Sequence, residues 1–304
     1  MSNEKAAKSA IVTIIGRPSS GKSTFLNTAA GEKVSIVSPV PQTTRNSIRG
    51  IINTSYGQLV FIDTPGYHNS EKKFNNQLKS IAEENIADSD LVLYLIDSTR
   101  SPGEEETLVV QLVKPFLDKT VIGINKIDLP ESNQQKIKDF LTQVFPDFPQ
   151  ERIVSVSAAN DTNINDLLLQ LYKLAPEQPA FYPEEYYTDQ EVDFRISEII
   201  RENAMNLLHD ELPHAIYVEI ADMEWRNENK KLWVRAFIVV ERDSQKGIVI
   251  GKNATMIKTI RIESIKQLRK IFDYKIELDL QVKVNKNWRQ KDTVLAKLLQ
   301  KSDD

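Results

Sequence analysis

Gly16-Arg17-Pro18-Ser19-Ser20-Gly21-Lys22-Ser23-Thr24 has the glycine spacing and the closing lysine–hydroxyl pair that hold a polyphosphate. The glycines let successive backbone N–H groups turn inward toward phosphate oxygens. A helix opening after Gly21 adds the partial positive charge of its N-terminus. Lys22 is placed to reach the β- and γ-phosphates, and the Ser23 hydroxyl suits a Mg²⁺ ion bridging them. Asp63-Thr64-Pro65-Gly66 offers a carboxylate to the shell of that ion, through water, because Mg²⁺ keeps several waters. Gly66 lets the backbone come close to the terminal phosphate. Alone, the second block is an ordinary turn. Its distance from the first makes it informative.

Two further blocks choose the base. In Asn125-Lys126-Ile127-Asp128 the Asp128 carboxylate can accept both N1–H and N2–H of guanine, and the Lys126 stem can lie over the ring. Ser157-Ala158-Ala159 can place a backbone N–H on guanine O6. Adenine lacks both features. A site built on such pairs rejects the unmatched analogue by a factor on the order of 10⁴. Asp128 therefore argues against an ATPase of similar layout, and Asp128→Asn should weaken GTP and favour xanthosine triphosphate.

Between the first two blocks, Pro41-Gln42-Thr43-Thr44-Arg45-Asn46 carries two threonines. Either hydroxyl could complete the Mg²⁺ shell; Thr44 is preferred, with Thr43 as the alternative. Many GTPases place a water-orienting glutamine just after the glycine of the second block. Here Tyr67 and His68 follow Gly66. Tyr67 is a poor substitute for an amide, so slow intrinsic hydrolysis is expected. His68 reads as a solvated loop residue.

These blocks need a rigid frame. Ile11–Ile15, Leu59–Ile62, Val121–Ile124 and Arg152–Val156 are short apolar runs, each ending at a block. That is the pattern of strands buried on both faces of a parallel sheet, with ligands at their C-terminal ends. The expected fold is α/β: a P-loop GTPase domain with a mostly parallel sheet and flanking helices over residues 1–176, then a proline-punctuated linker over 177–190. A smaller α+β domain follows over 191–304.

The chain has 304 residues, 40% hydrophobic and 27% charged, consistent with about two soluble domains. Cysteine is absent, which excludes disulfides and thiolate chemistry and fits a reducing cytoplasm. The first eight residues lack the apolar core of a signal peptide, so export is not expected. Net charge is −4, yet Glu241–Lys291 holds 13 basic and 6 acidic residues, a local +7. A basic stretch on an acidic protein points to a polyanion. Thr293–Leu299 can form an amphipathic helix, for which core packing is the preferred use over a membrane surface.

In the last third, Phe194–Leu208 has helical spacing. Ala215–Ile220 and Leu232–Val240 read as strands joined by a charged hairpin, and Lys275–Val284 alternates as a strand. Ile248, Ile250, Gly251, Lys252, Asn253, Ala254, Ile257 and Lys258 resemble the signature of a KH RNA-binding domain. In that family a G-x-x-G loop between two helices clamps the backbone of about four nucleotides. Ala254 stands at the second glycine, where alanine does not easily take positive φ.

A GTPase domain followed by a type II KH domain resembles the Era family of bacterial ribosome-assembly GTPases. Pro41–Arg45, Ser197–Glu202, Leu212-Pro213-His214 and Val239–Arg242 strengthen the likeness. The resemblance implies GTP/GDP and Mg²⁺ as ligands, and binding of 16S rRNA near its 3′ end. It also implies a role in 30S subunit assembly and loose association with the inner membrane; a monomer is expected. Tyr67 stands where such GTPases replace the glutamine by a hydrophobic residue. The family has Asn-Val at Ser19-Ser20, and that Asn serves potassium (K⁺) use in related GTPases, so Ser19 puts potassium stimulation in question. A tRNA-modification GTPase is disfavoured by the C-terminal RNA clamp. A plain RNA-binding adaptor, with GTP only as a passive ligand, is the competing reading.

Overall fold

The computed structural model describes residues 7–40, 43–65, 80, 83–228 and 230–298. They form two compact units: residues up to Ser35 with Thr44–Asp189, and Ile36–Thr43 with Gln190 onward.

The first unit is a six-stranded sheet. Its strands are β1 (Lys8–Ile15), β2 (Ile48–Thr54), β3 (Gly57–Asp63), β4 (Leu91–Asp97), β5 (Thr120–Asn125) and β6 (Ile153–Ser155). The order is β2-β3-β1-β4-β5-β6; β2 is antiparallel to β3 and all other pairs are parallel. Strands β4 and β5 are buried throughout, as their unbroken apolar runs require in a sheet covered on both faces. Helices α1 (Lys22–Ala30), α2 (Glu104–Val113), α3 (Gln134–Val144) and α4 (Ile164–Leu174) supply the cover. Val109, Val113, Ile137 and Leu141 pack with Ile15, Val92, Ile96, Ile122 and Ile124, each buried aliphatic side chain contributing about 1.5–3 kcal/mol. The chain order reverses on either side of β1, so the loop after β1 sits at the switch point where such sheets bind ligands.

Residues 176–189 are fastened to this unit. Pro176 O accepts from Ser9 N–H, Tyr187 O from Ile51 N–H, and the Gln58 side chain bonds the backbone of Phe181 and Tyr182. A proline-rich composition identifies a chain that makes no sheet, but it does not say whether that chain is tied down.

The second unit pairs α5 (Val192–Leu207) and the short α6 (Leu212–Ala215) with a sheet of β7 (Tyr217–Arg226), β8 (Lys231–Val240) and β9 (Lys275–Val284). Strand β7 is antiparallel to β8, and β8 is parallel to β9. Helices α7 (Asp243–Ile250) and α8 (Thr255–Ile271) connect the parallel pair. Ala215 closes α6 rather than opening a strand, because Pro213 starts a helical turn and the first ladder pair is Tyr217 with Val239. Leu232, Val234, Ala236 and Ile238 of β8 face a core that includes Ile199, Ile260 and Leu268. Helix α9 (Asp292–Leu298) buries Leu295. No helix among the described residues is long and apolar enough to cross a membrane.

Segment 36–43 belongs to the second unit, where α5 grips it. Val37 N–H donates to Glu202 Oε1 at 2.6 Å, and Arg201 Nη2 donates to Thr43 O at 2.7 Å. Arg201 is itself paired with Glu198 and is 2% exposed. The next residue, Thr44, belongs to the first unit.

Candidate nucleotide site and nucleic-acid interface

The strand β1 ends at Ile15, and the loop 16–21 turns into α1 at Lys22. Gly21 is the N-cap with φ 96, a left-handed conformation that favours glycine. A Cβ there would lie 2.3 Å from Asn125 Nδ2. Lys22 is 5% exposed, and its Nζ donates to the carbonyls of Gly16 and Arg17, both at 3.1 Å. Burial lowers its ammonium to about 8, against the raising influence of Asp63 and Glu106. A buried cation resting on backbone oxygens is ready to move onto phosphate oxygens. Pro18 and Ser20 are buried, Ser19 is exposed with φ 63, and Thr24 follows in the first turn of α1.

Three hydroxyls converge on one carboxylate oxygen. Asp63 Oδ2 accepts from Ser23 at 2.6 Å, Ser35 at 2.8 Å and Thr44 at 3.4 Å. Ser23 Oγ and Thr44 Oγ1 lie 3.1 Å apart. Thr43 instead donates to Val40 O, so of the two adjacent threonines only Thr44 turns toward Asp63. Burial pushes the Asp63 carboxyl up, against the Lys22 charge and the bonds from Ser23, Ser35 and Thr44. Its Oδ1 is buried with no hydrogen-bond partner among the described residues. An all-oxygen set around a dry, under-neutralised carboxylate fits Mg²⁺, a hard cation. Ser35 adds a hydroxyl that no motif carries; nothing in the local sequence distinguishes it from any loop serine.

Beyond Asp63, the Thr64 hydroxyl is spent on Ile14 O at 2.7 Å, and Pro65 is buried. Gly66, Tyr67 and His68 lie outside the described residues.

The base-side blocks meet across β5 and β6. Asn125 is the hub: its Nδ2 donates to Ser20 O at 2.9 Å, and its Oδ1 accepts from Ala158 N–H at 3.0 Å. One side chain thus ties the phosphate loop to the 157–159 loop. Ser157 Oγ donates to Asp128 Oδ1 at 2.6 Å and orients that exposed carboxylate. Ala159 is exposed beside it. Lys126, at φ 66, pairs with Asp97 Oδ2 at 2.7 Å. Burial would raise Asp97, but hydrogen bonds from Lys126 and Thr99 outweigh it and hold the carboxyl below its ordinary value. Asp97 stands at the C-terminal end of β4, the one signal in the sequence that it neighbours the site.

In the second unit, α7 ends at Ile250, and the loop 251–254 leads into α8. Gly251 has φ 75, and a Cβ would meet Met256 Cβ at 2.7 Å. Asn253 and Ala254 follow at φ 52 and 57. Alanine therefore does take the left-handed conformation here, because the loop must turn sharply to start α8. Lys252, Asn253, Ala254 and Lys258 are exposed, while Ile250 and Ile257 are half-buried. Ile248 is 56% exposed beside this loop.

A phosphate-cradling loop, an acidic metal pocket and a base-reading loop pair on a mostly parallel sheet, accompanied by a KH-type unit, define a guanine-nucleotide-binding protein with an RNA-binding module. The model of the 50S ribosome-binding GTPase family matches residues 11–126, and that of the KH domain matches residues 211–289. GTPase Era of Treponema denticola is 58% identical over 290 residues, covering 95% of this chain and 99% of that protein. GTPase Era of Borreliella burgdorferi strain B31 is 44% identical over 292 residues, covering 96% and 99%. Among solved structures, Aquifex aeolicus Era bound to GDP·AlF4⁻ is 31% identical with a TM-score of 0.90, covering 96% of this chain and 99% of that one. Era in complex with MgGDPNP and nucleotides 1506–1542 of 16S ribosomal RNA matches equally, covering 97% and 99%. The chain belongs to the Era family of GTPases.

Proposed function

We propose that this protein binds the 3′ end of 16S rRNA while loaded with GTP, assists assembly of the 30S subunit, and resets by hydrolysis. The observation that carries the reading is the convergence of Ser23, Thr44 and Ser35 on Asp63. Thr44 directly follows a segment that α5 holds within the KH-bearing unit. Ordering Thr44 around a nucleotide therefore bears on that segment through a single peptide link.

In this reading Lys22 leaves the carbonyls of Gly16 and Arg17 for the β/γ-phosphates, and the backbone of residues 16–24 wraps the phosphates. Ser23, Thr44 and Asp63 would hold Mg²⁺, which would supply charge neutralisation at the phosphate oxygens. Asp128 and a backbone N–H of the 157–159 loop take guanine, with the Lys126 stem over its plane. Gly66 and Tyr67 would border the terminal phosphate. Ile248, Ile250 and Ile257 would floor a groove for bases while Gly251, Lys252, Asn253, Ala254 and Lys258 track the RNA backbone. A related Era complex with MgGDPNP and 16S rRNA nucleotides supports both halves. Ser19 offers one hydroxyl to a monovalent cation in place of an amide, so hydrolysis should respond little to potassium over sodium.

Lys22→Ala tests the gating. RNA affinity measured with a GTP analogue should fall to the nucleotide-free value. An unchanged response to the analogue would support the adaptor reading instead.

A further inference from the structure

Behind the phosphate loop, Arg17 meets two buried polar residues, Glu106 and Tyr94, that no motif includes. Arg17 Nε is 2.6 Å from Glu106 Oε2, with the two side chains 4% and 0% exposed. Tyr94 OH donates to Glu106 Oε1 at 2.5 Å. Arg17 Nη1 also reaches Ser101 O at 3.4 Å. Tyr94 sits in the middle of β4 and Glu106 in the first turn of α2, so both partners behind Arg17 rest on rigid elements. Burial pushes both the Tyr94 hydroxyl and the Glu106 carboxyl up, and the Arg17 charge works against this at each.

Such a charge pair is costly to bury and weak evidence of stability for its own sake. Apolar residues in the same volume would serve the core at least as well. What the pair does fix is direction. The Arg17 side chain is buried against Glu106, and its own carbonyl is one of the two that hold Lys22. We infer that Glu106, held in turn by Tyr94, is a positioning residue for the phosphate loop, fastening Arg17 so that the loop keeps its binding shape before nucleotide arrives. Preorganisation of this kind lowers the cost of closing around phosphates.

The inference rests on the nucleotide reading above, and the test separates the two. Full-length parent protein is first titrated with labelled GDP; failure to bind would overturn the nucleotide reading itself. Glu106→Gln, which removes the negative charge opposite the guanidinium, should then weaken GDP and GTP by roughly tenfold, the scale of one side chain's lost preorganisation. Its preference for GTP over xanthosine triphosphate should be unchanged, because the base loops are untouched. The triple variant Arg17→Met/Tyr94→Phe/Glu106→Met removes the charge, its partner and the hydroxyl that would otherwise be buried without an acceptor, which should return Tm to the parent value or above. Its nucleotide affinity should stay as low as that of Glu106→Gln. Recovery of affinity together with Tm in the triple variant would show a merely structural cluster and overturn the inference. Parent-like affinity in Glu106→Gln would do the same.

Discussion

The loop 16–23 of the first unit and the loop 251–254 of the second solve one problem in two ways. Each opens a helix from an N-cap in the left-handed region with no side-chain cap, Gly21 at φ 96 and Ala254 at φ 57. The first loop is enclosed. Lys22 is buried on backbone carbonyls, Asn125 ties Ser20 to the base loop, and Arg17 is anchored from behind. The second is open, with Lys252, Asn253 and Ala254 exposed beside Ile248. An enclosed loop takes one ligand of fixed length and can reject near misses. An open loop lets a polymer backbone run past and leaves identity to the bases.

Substituting the two N-caps should give opposite results. Gly21→Ala forces alanine into a conformation costing about 1–2 kcal/mol and drives a methyl onto the Asn125 amide. Isothermal titration should show a loss of GDP affinity of roughly tenfold or more, the equivalent of that strain. A near-parent affinity would break the contrast, since it would mean the enclosed loop tolerates displacement.

A smaller effect is expected from Lys252→Ala. RNA binding should weaken several-fold, and the slope of log K against log salt should flatten by about 0.7, the value for one phosphate on a single strand. GDP affinity in the same protein should not move. An unchanged salt slope for RNA in this variant would mean that Lys252 in the open loop makes no phosphate contact.

Smallest is Ala254→Gly. Relief of positive φ, less the extra chain entropy of glycine, should stabilise the second unit by about 0.5–1 kcal/mol. Thermal unfolding would register it as a modest rise in Tm. A fall in Tm would mean that the alanine methyl makes packing contacts that outweigh its strain.

The same contrast explains what the sequence could reveal. The nucleotide blocks were legible because their chemistry is carried by backbone, glycine and a few short side chains at fixed spacing after buried strands. Ser23, Asp63 and Asn125 come together as that spacing requires. Partners brought in by tertiary packing were not legible: Ser35 on Asp63, Asp97 on Lys126, and Glu106 with Tyr94 on Arg17 lie from 28 to 89 positions away in the chain and belong to no motif. Segment 36–43 looked like part of the nucleotide domain because it is flanked by it, yet Glu202 and Arg201 draw it into the second unit. For the second unit, strand and helix periodicity was clear. Ala254 at positive φ was not, because tertiary closure of the loop overrides the preference of one residue.

On the proposed function, nucleotide state sets RNA affinity. Fluorescence anisotropy of a labelled single-stranded RNA matching the 3′ end of 16S rRNA, titrated with the full-length protein, tests it most directly. Titrations with a GTP analogue, with GDP and without nucleotide should give clearly tighter binding with the analogue, a coupling of about 1–3 kcal/mol between the sites. Equal affinity in all three states would contradict the account and leave two independent modules on one chain.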